Sequence, residues 1–283
     1  MSKGGLPVAG APVELHRVRE DTAGVVASAV SDAAGSFAFD LPPAGGDGFD
    51  VYFATAGYLG VRYFGAALHR DDPSPAAYLI EVFDTLTATL EPGETRLERR
   101  EVMLVPDGRG GWEVSELLRV INPGQRTLMP GSRMFVWSFE LPAGVVGFEV
   151  GQGELSPGEV ERVGDRVILT RPLPPGAREL FMRYRLPAGK GSARLPVSHP
   201  TGRLNLFTPE DDSPRVGGLG FAGRVSAEGE RLLRYTAAEL EPGAELSLRW
   251  STPAPPPLDP ALAAALVTGV VLLGGGWAAS RRR

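Results

Sequence analysis

From Ala261 to Ala279 the chain carries no charged residue, and Arg281, Arg282 and Arg283 follow at once. At ~1.5 Å per residue this run makes a helix of roughly 28 Å, close to the ~30 Å hydrocarbon core of a bilayer. A core helix of a soluble domain shows a polar face. Here the only relief from Leu262, Leu266, Val267, Val270, Val271, Leu272 and Leu273 is Thr268, with alanines and the glycines Gly269, Gly274, Gly275 and Gly276. The expectation is a single transmembrane helix over 261–279, with Trp277 at the interface and a basic tail, 280–283. Arginines beside a span stay on the cytoplasmic side, which places everything before Ala261 outside the cytoplasm.

A chain exported in that orientation needs a signal. Met1, Ser2, Lys3, Gly4 and Gly5 lead straight into domain sequence without an apolar leader, so either the start lies further upstream, which is the expectation, or the orientation argument is wrong. The 37 glycines and 26 prolines fall between short apolar runs as turn punctuation, the pattern of an all-β protein. A formal net charge of −5 provides no basic field for nucleic acid, so none is expected as a partner. Cysteine is absent, which excludes disulfides, thiolate metal sites and cysteine nucleophiles. Any stability must come from packed cores, and two β-sandwiches over 1–90 and 91–250 are long enough to provide them. The Pro-rich stretch 251–260 reads as a stiff spacer of ~3.1 Å per residue between the second sandwich and the bilayer.

Within 1–90, strands are expected over Val13–Val18, Val25–Val30, Ser36–Asp40, Asp50–Thr55, Val61–Phe64 and Tyr78–Phe83, with a turn at Ser31–Gly35. The order of Gly10–Leu15, then Ser31–Phe39, then Val51–Tyr58 resembles the carboxypeptidase regulatory-like family, small transthyretin-like sandwiches. Its motifs are the G-x-P-V strand, the S-D-x-x-G-x-F hairpin and a strand ending in G-Y. The family's usual opening strand is missing. The resemblance implies an accessory module that positions neighbours or binds chains or glycans, and it brings no catalytic residues with it.

In 91–250 one signature recurs: Leu90 to Gly93, Leu173 to Gly176 and Leu240 to Gly243 each place Pro-Gly before a strand. Proline presets φ near −65° and glycine takes positive φ, so each reads as a reused turn; a duplicated domain is the sharper alternative. Further strands are expected over Trp112–Ile121, Arg133–Leu141, Gly147–Val150, Arg166–Thr170, Ala177–Tyr184, Leu204–Phe207 and Ala244–Trp250. Arg133–Leu141 is apolar on both sides and reads as the centre of the sandwich. A looser pattern carried by Leu118, Val120, Asn122, Gly124, Phe139, Leu141, Pro142, Gly144, Pro172–Gly176, Leu180, Tyr184 and Pro187 resembles bacterial surface-protein ectodomains and implies no activity.

No constellation for catalysis, cofactor binding or metal binding emerges, and none is assigned. His16, His69 and His199 have no second histidine at ligand spacing. Ser198 adjoins His199, but neighbours on a strand point to opposite faces and there is no nucleophile elbow. Asp71–Asp72 and Glu210–Asp212 read as solvated loops, with surface calcium as the alternative. Arg215–Phe221 is Gly-rich but lacks the lysine of a phosphate-binding loop and reads as a loop or bulge. Tyr52, Tyr58, Tyr63 and Phe64 are either core residues or a platform for a sugar ring. The expectation is a non-enzymatic, membrane-anchored binding module for a protein or glycan partner. The alternatives are an accessory subunit that meets other spans through its helix and an unrecognised hydrolase.

Overall fold

The computed structural model describes residues 1–41, 50–69, 78–91, 93–187, 191–211, 213–227 and 229–251. These are all-β, with no helix among them. No helix of the described residues is long and apolar enough to cross a membrane; the 251–260 spacer beyond Ser251, the expected span 261–279 and the tail 280–283 lie outside the described residues. The chain divides into two compact units, 1–86 with 125–127 and 87–124 with 128–283.

The first unit is built on β1 (Ser2–Lys3), β2 (Leu6–Pro7), β3 (Pro12–Val18), β4 (Ala23–Val30), β5 (Val51–Tyr58), β6 (Val61–Phe64) and β7 (Leu68–His69). Its main sheet runs in the order β4-β3-β5-β6, with β7 also paired to β5. Alternation buries Val13 and Leu15 of β3, Tyr52, Ala54 and Ala56 of β5, and Val61 and Tyr63 of β6 on one face. The expected turn is there: Asp32 accepts from the backbone N–H of Ala34 and Ser36, and Gly35 takes φ +70°.

Two expected strands of this unit do not form. Ser36–Asp40 keeps Phe37 and Phe39 on one side, with rings 5.9 Å apart, but pairs with no ladder. Tyr78–Phe83 is reduced to one parallel bridge between Glu81 and Ser2 that buries Ile80 and Val82 completely. Alternation reports a half-buried extended segment and does not require that a neighbouring strand be in reach. Tyr78 closes this region instead: its hydroxyl accepts from the Ala54 N–H at 2.9 Å and donates to the Ala66 carbonyl at 2.7 Å. Opposite it stands Gly65, where a Cβ would lie 2.3 Å from that hydroxyl.

β8 (Thr85–Thr87) leads to the second unit, whose strands are β9 (Arg96–Pro106), β10 (Trp112–Asn122), β11 (Thr127–Met129), β12 (Trp137–Glu140), β13 (Val146–Val150), β14 (Val160–Val163), β15 (Arg166–Leu169), β16 (Gly176–Leu186), β17 (Ser192–Leu195), β18 (Thr201–Pro209), β19 (Arg215–Gly217), β20 (Gly220–Ala227), β21 (Glu230–Leu240) and β22 (Leu246–Arg249). A seven-stranded sheet runs β13-β16-β10-β9-β18-β21-β20, antiparallel except where β18 lies parallel to β9. Two three-stranded sheets, β12-β15-β14 and β17-β22-β19, share one hydrophobic core with its inner face. All three Pro-Gly glycines take positive φ, Gly93 +91°, Gly176 +95° and Gly243 +87°.

Arg133–Leu141 is not the central strand. Only Trp137–Glu140 pairs, at the edge of a three-stranded sheet, and Met134 sits at φ +63° with 73% of its surface exposed. The central place belongs to β9, fourth of seven, whose Val102 and Leu104 enter the main core while Met103 and Val105 join a smaller cluster with Phe207, Ala227 and Leu232. The Arg215–Phe221 stretch is the whole of β19, a tight turn and the start of β20, with the ladder irregular between Phe221 and Gly223.

The main core of the second unit holds an ion pair. Arg100 stands opposite Leu118 in the β9–β10 ladder, which makes Glu116 its diagonal neighbour on the inner face. Its Nε and Nη2 donate to the Glu116 carboxylate at 2.8 and 3.0 Å, and its Nη1 donates to the Pro196 carbonyl at 2.6 Å. The Tyr184 hydroxyl donates to the same carboxylate, and the guanidinium lies 4.8 Å over the Phe139 ring. Burial and the Glu116 charge push the Tyr184 phenol well above its ordinary range, so it remains a donor.

Candidate functional site

The outer face of the seven-stranded sheet is read directly from its register. Arg99 and Glu101 of β9 lie opposite Arg203 and Asn205 of β18. Arg203, Asn205 and Phe207 lie in turn opposite Ala238, Thr236 and Arg234 of β21. On the edge strand β20, Gly223 is opposite Arg234 and Gly220 is opposite Thr236. Two positions beside the polar cluster therefore carry no side chain, and Gly223, at φ +114°, has nothing within 4 Å of where its Cβ would stand. The result is a pocket of about 570 Å³ walled by Arg99, Glu101, Arg203, Asn205, Arg234 and Thr236, with Phe207 and Val225 at its apolar side.

Glu101 is the floor of this pocket. It is 4% exposed, and its Oε1 accepts from Asn205 Nδ2 at 3.1 Å. Arg99 approaches carboxylates on both sides, Glu101 at 3.6 Å and Glu179 at 3.8 Å, and both distances exceed a hydrogen bond. Arg119 holds Glu98 and reaches Glu179 at 3.5 Å. The Nε of Arg234 is buried and has no hydrogen-bond partner among the described residues. Three guanidinium groups and the Glu101 carboxyl thus line one pocket.

Burial raises the Glu101 carboxyl above the ordinary carboxylate range, against the Asn205 hydrogen bond and the charges of Arg99, Arg203 and Arg234, which pull it down. A raised folded-state value means that the folded protein holds this proton after the unfolded chain has released it. Stability therefore falls as pH rises from about 4.5 through the folded value. Glu101→Gln is expected to remove that part of the decline and to leave the variant at least as stable as the parent at neutral pH. Urea midpoints measured from acid to neutral pH check this, and a variant that follows the parent's pH profile contradicts it.

The residues singled out in the sequence scatter elsewhere. His199 is stacked on Trp137 with ring centroids 5.5 Å apart, and its Nε2 donates to the Ser138 carbonyl at 2.6 Å. Burial lowers its pKa, which keeps it neutral. The Ser198 hydroxyl accepts from the Glu140 N–H at 3.1 Å and makes no approach to that ring. His199 thus ties β12 to Thr95, whose hydroxyl lies 3.5 Å from its Nδ1. Glu210 is engaged by Arg224 at 2.5 Å and Arg231 at 3.3 Å, and Arg224 holds its carboxyl below the usual range. Asp71, Asp72 and Asp212 lie outside the described residues.

The expected aromatic platform divides between the two faces of the first unit's sheet. Tyr52 and Tyr63 are buried, at 0% and 4% exposed, and Tyr63 shares a 2.7 Å hydrogen bond with Thr127. Phe64 alone projects, at 68% exposed, beside Phe53 at 6.1 Å. Phe53 stacks in turn on His16, 4.8 Å away and within 2° of parallel. This strip of Phe64, Phe53 and His16 went unread because His16 and Phe53 come together only through the β3–β5 register. The same unit has a groove of about 930 Å³ lined by Phe37, Phe39, Leu68, Tyr78 and Leu79, with no charged side chain among the described residues that line it.

No family model matches the chain, and a search of curated proteins finds no match either. Among solved structures, an M1 zinc metallopeptidase from Deinococcus radiodurans is similar at 18% identity and TM-score 0.34, over 56% of this chain and 43% of that one. A provisionally assigned protease from Parabacteroides distasonis is similar at 8% identity and TM-score 0.35, over 58% of this chain and 41% of that one. The chain spans less than half the length of either. Likeness of this degree carries no argument about this chain's fold or chemistry.

Proposed function

We propose that this chain is a membrane-anchored, extracytoplasmic binding module for a protein or glycan partner. A single helix over 261–279 is its anchor, and the arginine tail lies in the cytoplasm. Its first unit serves as a transthyretin-like accessory sandwich of the carboxypeptidase regulatory-like kind, and its second unit is the sandwich that meets the partner. The observation that carries the binding role is the arginine-lined pocket on the free face of the second unit's sheet. Arg99, Arg203 and Arg234 line it, and the buried Nε of Arg234 has no hydrogen-bond partner among the described residues, so a partner that supplies negative charge is accommodated there. The anchor is supported by the uncharged run 261–279 and by the cluster of arginines that ends it.

The test is fractionation of cells producing the protein from its own gene. Full-length protein is expected to remain with membranes through an alkaline wash and to be released by detergent, whereas a chain ended after Trp250 is expected in the soluble fraction. Full-length protein in the soluble fraction after lysis without detergent would contradict the proposal.

A further inference from the structure

We infer that the edge strand β4 of the first unit pairs with β4 of a second copy of this chain, antiparallel about a two-fold axis at Ser28. A strand that ends a sheet leaves one row of backbone N–H and C=O groups unpaired, and proteins ordinarily guard such rows with charges, breaks or shortness. Among the described residues, the other edge strands of four or more residues each carry a charge: Arg62, Glu140, Glu149, Glu161, Arg194 and Arg224, on β6, β12, β13, β14, β17 and β20. β4 ends its sheet beside β3 and is eight residues long, and no residue from Thr22 to Ser31 is charged. Its Val25, Val26 and Val30 are exposed.

The strand is its own complement. Ser28 and Val30 lie opposite Glu14 and Pro12 of β3, on the outer face of the sheet, while Ala27 and Ala29 lie opposite the buried Leu15 and Val13. The ladder with β3 shifts between Leu15 and His16 and passes over Val26, which alternation along 26–30 sets on the outer face with Val30. An axis through Ser28 places Val26 opposite Val30 of the other copy, Ala27 opposite its Ala29, and the two Ser28 hydroxyls side by side. Each pair keeps to one face, and serine hydroxyls in such a position hydrogen-bond across antiparallel strands. The shift in the ladder falls outside these five residues. Charge selects a second copy as the occupant. A two-fold contact sets identical residues near one another, and like charges placed opposite each other destabilise a sheet. Two copies of a chain with net charge −5 therefore meet most favourably through an uncharged segment. Five paired residues a side are few beside the roughly 20 to 30 of a standard interface, so the dimer is reversible and grows with concentration.

The chain has no cysteine, so single substitutions report the pairing. Ser28→Cys brings two thiols together at the axis, where directly opposed Cβ atoms stand about 4.5–5.5 Å apart, close to the reach of a disulfide. Full-length protein in mild detergent would be oxidised with diamide and run on a non-reducing gel. Ser28→Cys is expected to form linked dimer at least about tenfold faster than Ser192→Cys, an exposed position on the edge strand β17. Val30→Cys stands roughly 13 Å from its own copy along the paired strands, and is expected to link no faster than Ser192→Cys. Ser28→Lys sets two ammonium groups opposite each other, and is expected to shift sedimentation from dimer to monomer while the melting temperature stays at the parental value. Equal rates of linkage at positions 28, 30 and 192, or a Ser28→Lys variant that sediments as the parent does, overturns the inference. So does a Ser28→Cys chain that links to a different polypeptide in the producing cells and never to itself, which makes the occupant a partner's strand. None of these outcomes affects the membrane fractionation, so a failed dimer and a failed anchor are distinguishable.

Discussion

Replacing Arg100 with methionine is expected to cost about 3–5 kcal/mol of folding stability, because it strands the Glu116 carboxylate in the core of the second unit. Glu116 is 0% exposed, and its other protein donor is the Tyr184 hydroxyl, which cannot neutralise it. The substitution also removes the donor to the Pro196 carbonyl and the cation over the Phe139 ring. The cost is thus mainly that of an unpaired buried charge and much less the net worth of the pair, since desolvation of two ions offsets most of their attraction. The triple replacement Arg100→Met, Glu116→Leu and Tyr184→Phe removes every ionic and phenolic member together. It is expected to regain most of the loss, with about 1–3 kcal/mol remaining for the Pro196 carbonyl. Urea unfolding of the single and triple variants measures both. A triple variant as unstable as the single would show that the network does more than satisfy itself.

Phe139→Ala is expected to cost a similar amount, about 3–5 kcal/mol, by a different route. Phe139 is 0% exposed, stacks on Trp137 at 5.9 Å and forms the apolar floor under the Arg100 guanidinium. β12 contributes only the four residues Trp137–Glu140 to a three-stranded sheet, so backbone pairing around the cavity is sparse and the site can relax in part. A loss at the lower end of the range would report that relaxation. Because Phe139 touches Arg100, the double variant with Arg100→Met should lose less than the sum of the two singles. Strict additivity would mean that the ring and the guanidinium do not interact.

Arg100 also shows why this core was hard to read in the sequence. β9 opens Arg96-Leu97-Glu98-Arg99-Arg100-Glu101, which looks like solvated surface. It is the central strand because one of those charges turns inward to a partner on β10 and another lies beneath a pocket on the opposite face. β10 was legible over Trp112–Ile121 although it carries the inward Glu116, because its many apolar residues outweigh that one charge, and the Pro-Gly turns before β16 and β22 announce themselves through the two residues that best set their dihedrals. β20 and β21 passed unnoticed because Gly220, Gly223 and the charges Glu230, Arg231 and Arg234 dilute the apolar rhythm. The pocket left no local signal at all. Its polar members come from β9, β18 and β21, positions 99 to 236, and only the parallel pairing of β9 with β18 brings them together.

The first unit illustrates the opposite error. Ser36–Asp40 has the alternation of a strand and forms none, while His16 and Phe53, which look unrelated along the chain, stack in register. Pattern reports which side of a segment is apolar; pairing partners are decided by the topology.

Protease added to intact spheroplasts tests most directly the proposed anchoring of two β-units outside a bilayer by one helix. With an epitope placed after Arg283, the β-units are expected to be digested while a short, membrane-embedded C-terminal fragment keeps its epitope. A chain that resists protease until the spheroplasts are lysed, or an epitope that is lost while they are intact, would contradict it.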